Sequence, residues 1–265
     1  MRRLTSPDNA EAKALLGLHD RRGRKEAGMM LLEGPHLLLE ALKAAAPLDR
    51  VYYLPGWAVT PDGKELLTRA ARAGAVLTEV SPRFMGKAAT TDTPPPVLAS
   101  VPLPAAGVDE GAGRVGLVLD GLQDPGNLGA ILRIAWGAGV RSVWSTPGTV
   151  DYYAPKVLRA AQGAHFHLAL REIGRQELMA EIERGGWWLA TTEASAAKPF
   201  WRAALPLPCL VCIGNEARGI GADLRAAARE SIAVPLAQGV DSLNAAVVAG
   251  VVLFELVRRA DGPSG

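Results

Sequence analysis

An arginine set in an otherwise apolar helical run is the sharpest chemical feature of this chain. Arg133 follows Asn127-Leu128-Gly129-Ala130-Ile131-Leu132, just after the loop Gly121-Leu122-Gln123-Asp124-Pro125-Gly126. On a helix its neighbours at i±4 are Gly129 and Gly137, with Ala130 at i−3, so space is left beside the guanidinium. Such an arginine suits a bound phosphate or a carboxylate partner across a helix interface. Asn127, at the helix start, is placed to cap it. Further on, Asp241, Ser242 and Asn244 gather ahead of a long apolar run, where the free N–H groups of a helix start point outward. Ser242 or Asn244 is the expected N-cap. Between these lies a third polar cluster, Gly214-Asn215-Glu216-Ala217-Arg218-Gly219.

Several other chemistries are excluded. Cys209 and Cys212 form a C-x-x-C inside an apolar strand, and residues three apart on a strand face opposite ways, so the two sulfurs cannot share a metal or a disulfide. No second cysteine pair and no nearby histidine completes a metal set, so no metal is expected. No G-x-G-x-x-G follows a strand. Gly214 and Gly219 have the first spacing of a phosphate-binding P-loop, but Ile220 stands where its lysine belongs.

The elements that position these residues alternate. Strands are expected over residues 115–119, 142–145, 165–170, 187–190, 210–213 and 232–234, with helices over 127–138, 154–161, 177–184, 222–228 and 243–259. Continuous apolar strands separated by helices predict a parallel sheet covered on both faces. Ligands of such sheets bind beyond the carboxyl ends of the strands. The polar clusters at 120–127, 191–192, 214–219 and 235–244 all fall at such ends, which points to an enzyme or a cofactor-binding domain. The last helix is apolar almost all round and is expected to be buried.

The first hundred residues form a smaller α/β unit. Asp8 or Asn9 is the expected cap of a first helix with Ala12, Leu15, Leu16 and His19 on one side, and the end of that helix is basic. Strands follow over 29–32, 51–54, 75–80 and 97–101, with helices over 36–45 and 64–72. The stretch 105–113 has linker composition. The domains are therefore 1–104, a linker at 105–113, and 114–265. Net charge is +2 overall, but residues 1–105 carry 14 Lys/Arg against 11 Asp/Glu and the rest carry 15 against 16. Within the first 25 residues 7 basic side chains face 3 acids, so Arg21, Arg22, Arg24 and Lys25 are candidate phosphate contacts. No apolar stretch is long enough to span a bilayer and no N-terminal apolar leader is present, so a soluble cytoplasmic protein is expected.

The three polar clusters also resemble, in order, the three motifs of the SpoU (TrmH-type) family of RNA ribose 2′-O-methyltransferases. Asp124-Pro125-Gly126-Asn127 through Arg133 resembles the first, Gly214-Asn215-Glu216-x-x-Gly219 the second, and Ser242-Leu243-Asn244 before a small-residue helix ending at Phe254-Glu255 the third. Leu32-Glu33-Gly34 and Thr93-Pro94 through Val97-Leu98-Ala99 are similar to the L30e-like substrate-binding domain fused to many members. The resemblance implies an α/β knot of the SPOUT class, with a trefoil-knotted, mostly parallel sheet, and S-adenosyl-L-methionine as cofactor. Gly214, Val234, Leu236, Leu243 and Thr191 are implied as cofactor contacts, the last open by one residue because Thr192 follows it. Arg133, Asn127, Glu216, Ser242 and Asn244 are implied as catalytic, with Arg133 either a base or the holder of an RNA phosphate. A homodimer with the active site near its interface is implied. A separate N-terminal domain favours 23S ribosomal RNA over transfer RNA as substrate. A non-catalytic RNA-binding protein on the same fold would have lost some of Asn127, Arg133, Glu216 and Asn244, and all four are present.

Overall fold

The computed structural model describes residues 2–4, 10–104 and 114–260. The expected linker at 105–113 and the expected caps Asp8 and Asn9 lie outside them. The chain divides into two units. The first comprises Met1–Ala105 and Asp151–Phe166, the second Ala106–Val150 and His167–Gly265.

In the first unit the order is β1 (Arg2–Leu4), α1 (Ala10–Gly17), α2 (Arg21–Ala27), β2 (Met29–Glu33), α3 (Pro35–Lys43), β3 (Arg50–Tyr53), α4 (Pro55–Ala58), α5 (Pro61–Arg72), β4 (Val76–Val80), α6 (Pro82–Ala88) and β5 (Val97–Pro102). The sheet order is β1-β4-β3-β5-β2, with β5 antiparallel to both neighbours and the other pairs parallel. Successive side chains of a strand face opposite ways, and the two cores follow that alternation. Met30, Leu32, Val51, Tyr53, Val97 and Ala99 enter one core with Leu37 and Leu38 of α3. Leu31, Tyr52 and Leu98 enter the other with Leu15 and Phe84. The short strand β1 and the helix α6 are additions to the sequence expectation, as is the break between α1 and α2. Asp20 starts α2, its carboxylate accepting from the Gly23 N–H.

The rest of the chain supplies β6 (Val115–Asp120), α7 (Pro125–Gly137), β7 (Ser142–Ser145), α8 (Pro155–Ala161), β8 (Ala169–Glu172), α9 (Arg175–Arg184), β9 (Trp188–Thr192), β10 (Lys198–Pro199), β11 (Cys209–Gly214), α10 (Ala222–Ala227), β12 (Glu230–Ala233) and α11 (Ala245–Ala260). Seven strands pair in the order β10-β12-β9-β11-β6-β7-β8, every pair parallel. Both cysteines of β11 are buried and free between flanking strands, and burial pushes the Cys209 thiol up to about 12 and raises that of Cys212. Among the described residues, no helix is long and apolar enough to cross a membrane, and no three His, Cys, Asp or Glu side chains are placed to hold a metal ion.

Three expectations are corrected. The strand expected over 165–170 is a short 3-10 turn at Ala164–Phe166 followed by β8. The cause is local: the His165 ring turns inward and its Nε2 bonds the Tyr152 carbonyl at 2.7 Å. Helix α8 lies in the other half of the sequence from β2 yet falls in the first unit, where Leu158 joins the core of Met30 and Leu37. The chain reaches that position through Gly163, whose φ is +94° and whose missing Cβ would stand 2.7 Å from Glu40. Finally, α11 is not buried all round. Ala246, Ala249, Val252, Leu253 and Leu256 face inward, but Val247, Val251 and Phe254 are 48%, 39% and 54% exposed.

Candidate active site

Four parallel neighbours, β12, β9, β11 and β6, end on the same edge of the sheet, and their carboxyl-terminal loops meet there. Each loop is held by local chemistry. Asp124 caps α7 by accepting from the Asn127 N–H at 2.7 Å, with Pro125 opening the helix. Asn215 closes the turn after β11: its Oδ1 accepts from the N–H groups of Ala217 and Arg218 at 3.0 and 2.9 Å, and its Nδ2 donates to the Gly121 carbonyl at 2.8 Å. Gly214 lets that turn fold back, because a Cβ there would stand 2.6 Å from both Gly219 and Ile220. Asn244 caps α11 by accepting from the Ala246 N–H at 2.8 Å.

These anchors bring three separate sequence segments into one hydrogen-bonded cluster. The Asn127 amide donates to Glu216 Oε1 at 3.0 Å and accepts from Asn244 Nδ2 at 2.7 Å. The cluster sits on the lip of a cavity of about 590 Å³, within the usual range for small-molecule sites. Ser242, Gly214, Val234, Leu236 and Leu243 line the same cavity.

Two expected residues stand elsewhere. Thr191 is buried and donates to Glu193 Oε1 at 3.2 Å, while the next residue, Thr192, lines the cavity. Strand alternation decides this, because only one of two successive side chains can face the site. Arg133 is exposed on α7 and does not line the cavity. It lies six residues beyond Asn127, about 9 Å along the helix and turned roughly 120° from it. Its exposed face is flanked by half-exposed Ala130 and exposed Gly137, so the expected clearance is present, but it opens away from the buried core.

Arg24 is corrected as a phosphate contact. It is 3% exposed; Nε and Nη2 bond Asp151 at 3.0 and 2.5 Å, and Nη1 donates to the carbonyls of Leu18 and His19. A helix rotates each side chain by about 100° from the last, so four basic residues in five positions cannot share one face. Arg21, Arg22 and Lys25 remain exposed.

The structure adds residues that spacing did not single out. Asp120, buried at the end of β6, accepts from Thr146 Oγ1 at 2.6 Å, Arg175 Nη2 at 2.5 Å and the Gly221 N–H at 2.7 Å, tying the first loop to the turn after β11. Glu193 and Arg225 line the cavity and pair at 3.2 Å. A charged end on an all-apolar strand was the available signal for Asp120; Glu193 and Arg225 carried none.

A family model described as the SpoU rRNA Methylase family matches residues 114–254, and another, the MRM3-like substrate binding domain, matches residues 9–99. The chain is 34% identical to an uncharacterized tRNA/rRNA methyltransferase of Synechocystis, over 97% of this chain and 93% of that one. It is 28% identical to the 23S rRNA (guanosine(2553)-2′-O)-methyltransferase RlmP of Bacillus subtilis, over 97% and 99%. Among solved structures it is similar to the SpoU methyltransferase AviRb of Streptomyces viridochromogenes in complex with AdoMet, with a TM-score of 0.84 at 27% identity over 96% and 99% of the two chains.

Proposed function

The chain belongs to the SpoU rRNA methylase family, and from that premise we propose that it transfers a methyl group from S-adenosylmethionine to a ribose 2′-hydroxyl of RNA, with 23S ribosomal RNA as the substrate class. The observation that carries this reading is the cluster of Asn127, Glu216 and Asn244, drawn from three loops to one cavity lip. The cavity suits the cofactor. Ile213, Ile220, Ile232, Val234 and Leu236 offer apolar surface for an adenine ring, while Glu216 supplies negative charge for a cationic ligand. When bound, S-adenosylmethionine supplies an electrophilic methyl group on a positively charged sulfur.

This chain's own residues supply alignment and charge. Asn127 and Asn244 lock each other, and both hold the loops that frame the cofactor, so a ribose hydroxyl arriving at the lip meets a fixed geometry. Gly214, Val234, Leu236, Leu243 and Thr192 form the cofactor walls, and Ser242 stands at the lip beside Leu243. Guanidinium groups keep their proton at neutral pH, so Arg133 is assigned to an RNA phosphate rather than to proton removal.

The same reading includes a homodimer, a trefoil knot and a cytoplasmic location. Val247, Val251 and Phe254 repeat at i, i+4 and i+7 on α11, an apolar stripe that a second copy would cover. Helix α7, which carries Arg133, packs along α11, with Ile134 beside Gly250. Ribosomal RNA is favoured over transfer RNA because the likeness to RlmP runs the full length, through the N-terminal unit.

The test is transfer of tritium from labelled S-adenosylmethionine to total ribosomal RNA and to total transfer RNA, followed by nucleoside digestion. Label is expected in a 2′-O-methylnucleoside of ribosomal RNA. Label on a base overturns the chemistry, and label in transfer RNA alone overturns the substrate. Arg133→Ala is expected to lower turnover at least 100-fold while leaving cofactor affinity within about twofold. Near-normal turnover of that variant would remove Arg133 from the active site.

A further inference from the structure

The two carboxylates of the cavity are held differently. Glu216 is exposed on the lip, and its partner is the neutral amide of Asn127. Glu193 follows β9 in the same cavity and is fixed by three side chains. Its Oε1 accepts from the hydroxyls of Thr191 at 3.2 Å and Ser231 at 3.1 Å, and its Oε2 pairs with Arg225 Nε at 3.2 Å. Its backbone N–H donates to the Ile232 carbonyl at 2.9 Å. Arg225 in turn donates from Nη2 to the Ile220 carbonyl at 3.0 Å. These bonds tie Glu193 and Arg225 to the backbone of Ile232 and Ile220, whose residues line the same cavity.

Charge distinguishes the two carboxylates. The Arg225 guanidinium offsets the charge of Glu193, which makes it a weak partner for a cation but leaves a fixed acceptor for neutral hydroxyls. Glu216, which bonds the neutral amide of Asn127, suits the cationic end of the ligand. In dinucleotide-binding sheets a carboxylate hydrogen-bonds a ribose 2′-hydroxyl beyond the carboxyl ends of the strands, and Glu193 follows β9 at such an end.

Resting on the reading that this cavity takes S-adenosylmethionine, we propose that Glu193, clamped by Thr191, Ser231 and Arg225, is a further cofactor-binding residue whose Oε2 accepts from a ribose hydroxyl of the nucleoside.

The test is calorimetric binding of two ligands, S-adenosylhomocysteine and its 2′,3′-dideoxyribose counterpart, to the wild type and to Glu193→Gln, which keeps shape and most hydrogen bonds. The wild type is expected to bind the dideoxy compound about tenfold or more weakly than S-adenosylhomocysteine. In Glu193→Gln the affinity for S-adenosylhomocysteine should fall to near that of the dideoxy compound, which itself should change less than twofold. Thermal unfolding of the variant, expected to be near wild type, shows that the wall is intact. Retained discrimination between the ligands in Glu193→Gln overturns the assignment, as does an equal loss for both. A wild type that binds neither ligand overturns the cofactor reading itself, and this assignment with it.

Discussion

At the scale of single residues, burial divides side chains that the sequence presents as equivalent. Arg21, Arg22, Arg24 and Lys25 read as one basic run, yet Arg24 is sealed against Asp151 and two carbonyls. Removing one partner of a buried pair leaves the other charge uncompensated. Arg24→Ala should therefore cost about 3–5 kcal/mol of stability, read by chemical unfolding. Replacing Arg21, Arg22 and Lys25 together should leave stability within roughly 1–2 kcal/mol. It should weaken RNA binding and flatten the dependence of log affinity on log salt by up to about 2 units. Unchanged salt dependence in the triple variant would exclude this helix from the RNA contact. Asn244, one of the two expected caps of α11, and the loop ends that carry Asn127, Gly214 and Glu216 were legible from local signatures, but the cap of α7 is Asp124 and not the expected Asn127, which lies inside that helix and bonds Glu216 instead. The choice between Thr191 and Thr192 stayed open in sequence because strand phase depends on neighbouring strands; Thr192 is the one that lines the cavity. Glu193 and Arg225 were missed because their meaning arises only when the end of β9 is placed against α10, 32 positions away in sequence.

At the scale of elements, the alternation of apolar strands and helices was enough to foretell the parallel sheet and the edge where the loops converge. Periodicity could not say how much cover each helix receives. Helix α11 carries apolar side chains on nearly all sides, but only one face packs on the sheet and on α7. The remaining stripe of Val247, Val251 and Phe254 needs a partner of matching shape, and the same stripe on a second copy fits by twofold symmetry. Val251→Asp places a charge in the middle of the stripe without touching the buried face. It should shift the protein from dimer to monomer in sedimentation velocity at micromolar concentration. Methyl transfer should fall with dimer content, because Arg133 stands on the helix alongside. A wild type that sediments as a monomer at those concentrations would overturn the dimer, and a fully dimeric Val251→Asp would place the interface elsewhere.

At the scale of the whole molecule, the chain enters the N-terminal unit twice, the second time with Asp151–Phe166. This is invisible in sequence, where that segment reads as one more strand–helix step of the second half. Its anchors are long-range: Asp151 to Arg24, Leu158 in the core, and Arg159 to Glu33 at 3.0 Å. The segment also brings His165 into a fully buried site. The ring Nε2 bonds the Tyr152 carbonyl, which requires a proton on Nε2, while Nδ1 has no hydrogen-bond partner among the described residues. Burial pushes the pKa of His165 down to about 4, with the Tyr152 carbonyl and Asp151 offsetting only part of that. The sign follows from proton uptake. Between the ordinary value of 6.5 and about 4, the unfolded chain binds a proton that the folded unit excludes. His165 therefore imposes no penalty above 6.5, and stability is lost as pH falls from there toward 4, by up to about 3 kcal/mol. Hydrogen exchange at the amides of β2 and β5, corrected for the intrinsic pH dependence of exchange, should show protection falling between pH 7 and pH 4.5. His165→Gln retains a donor for Tyr152 and cannot take up a proton, so it should lose less protection over the same interval. Equal acid loss in the variant and the wild type would mean that another group governs how firmly the N-terminal unit keeps its second segment.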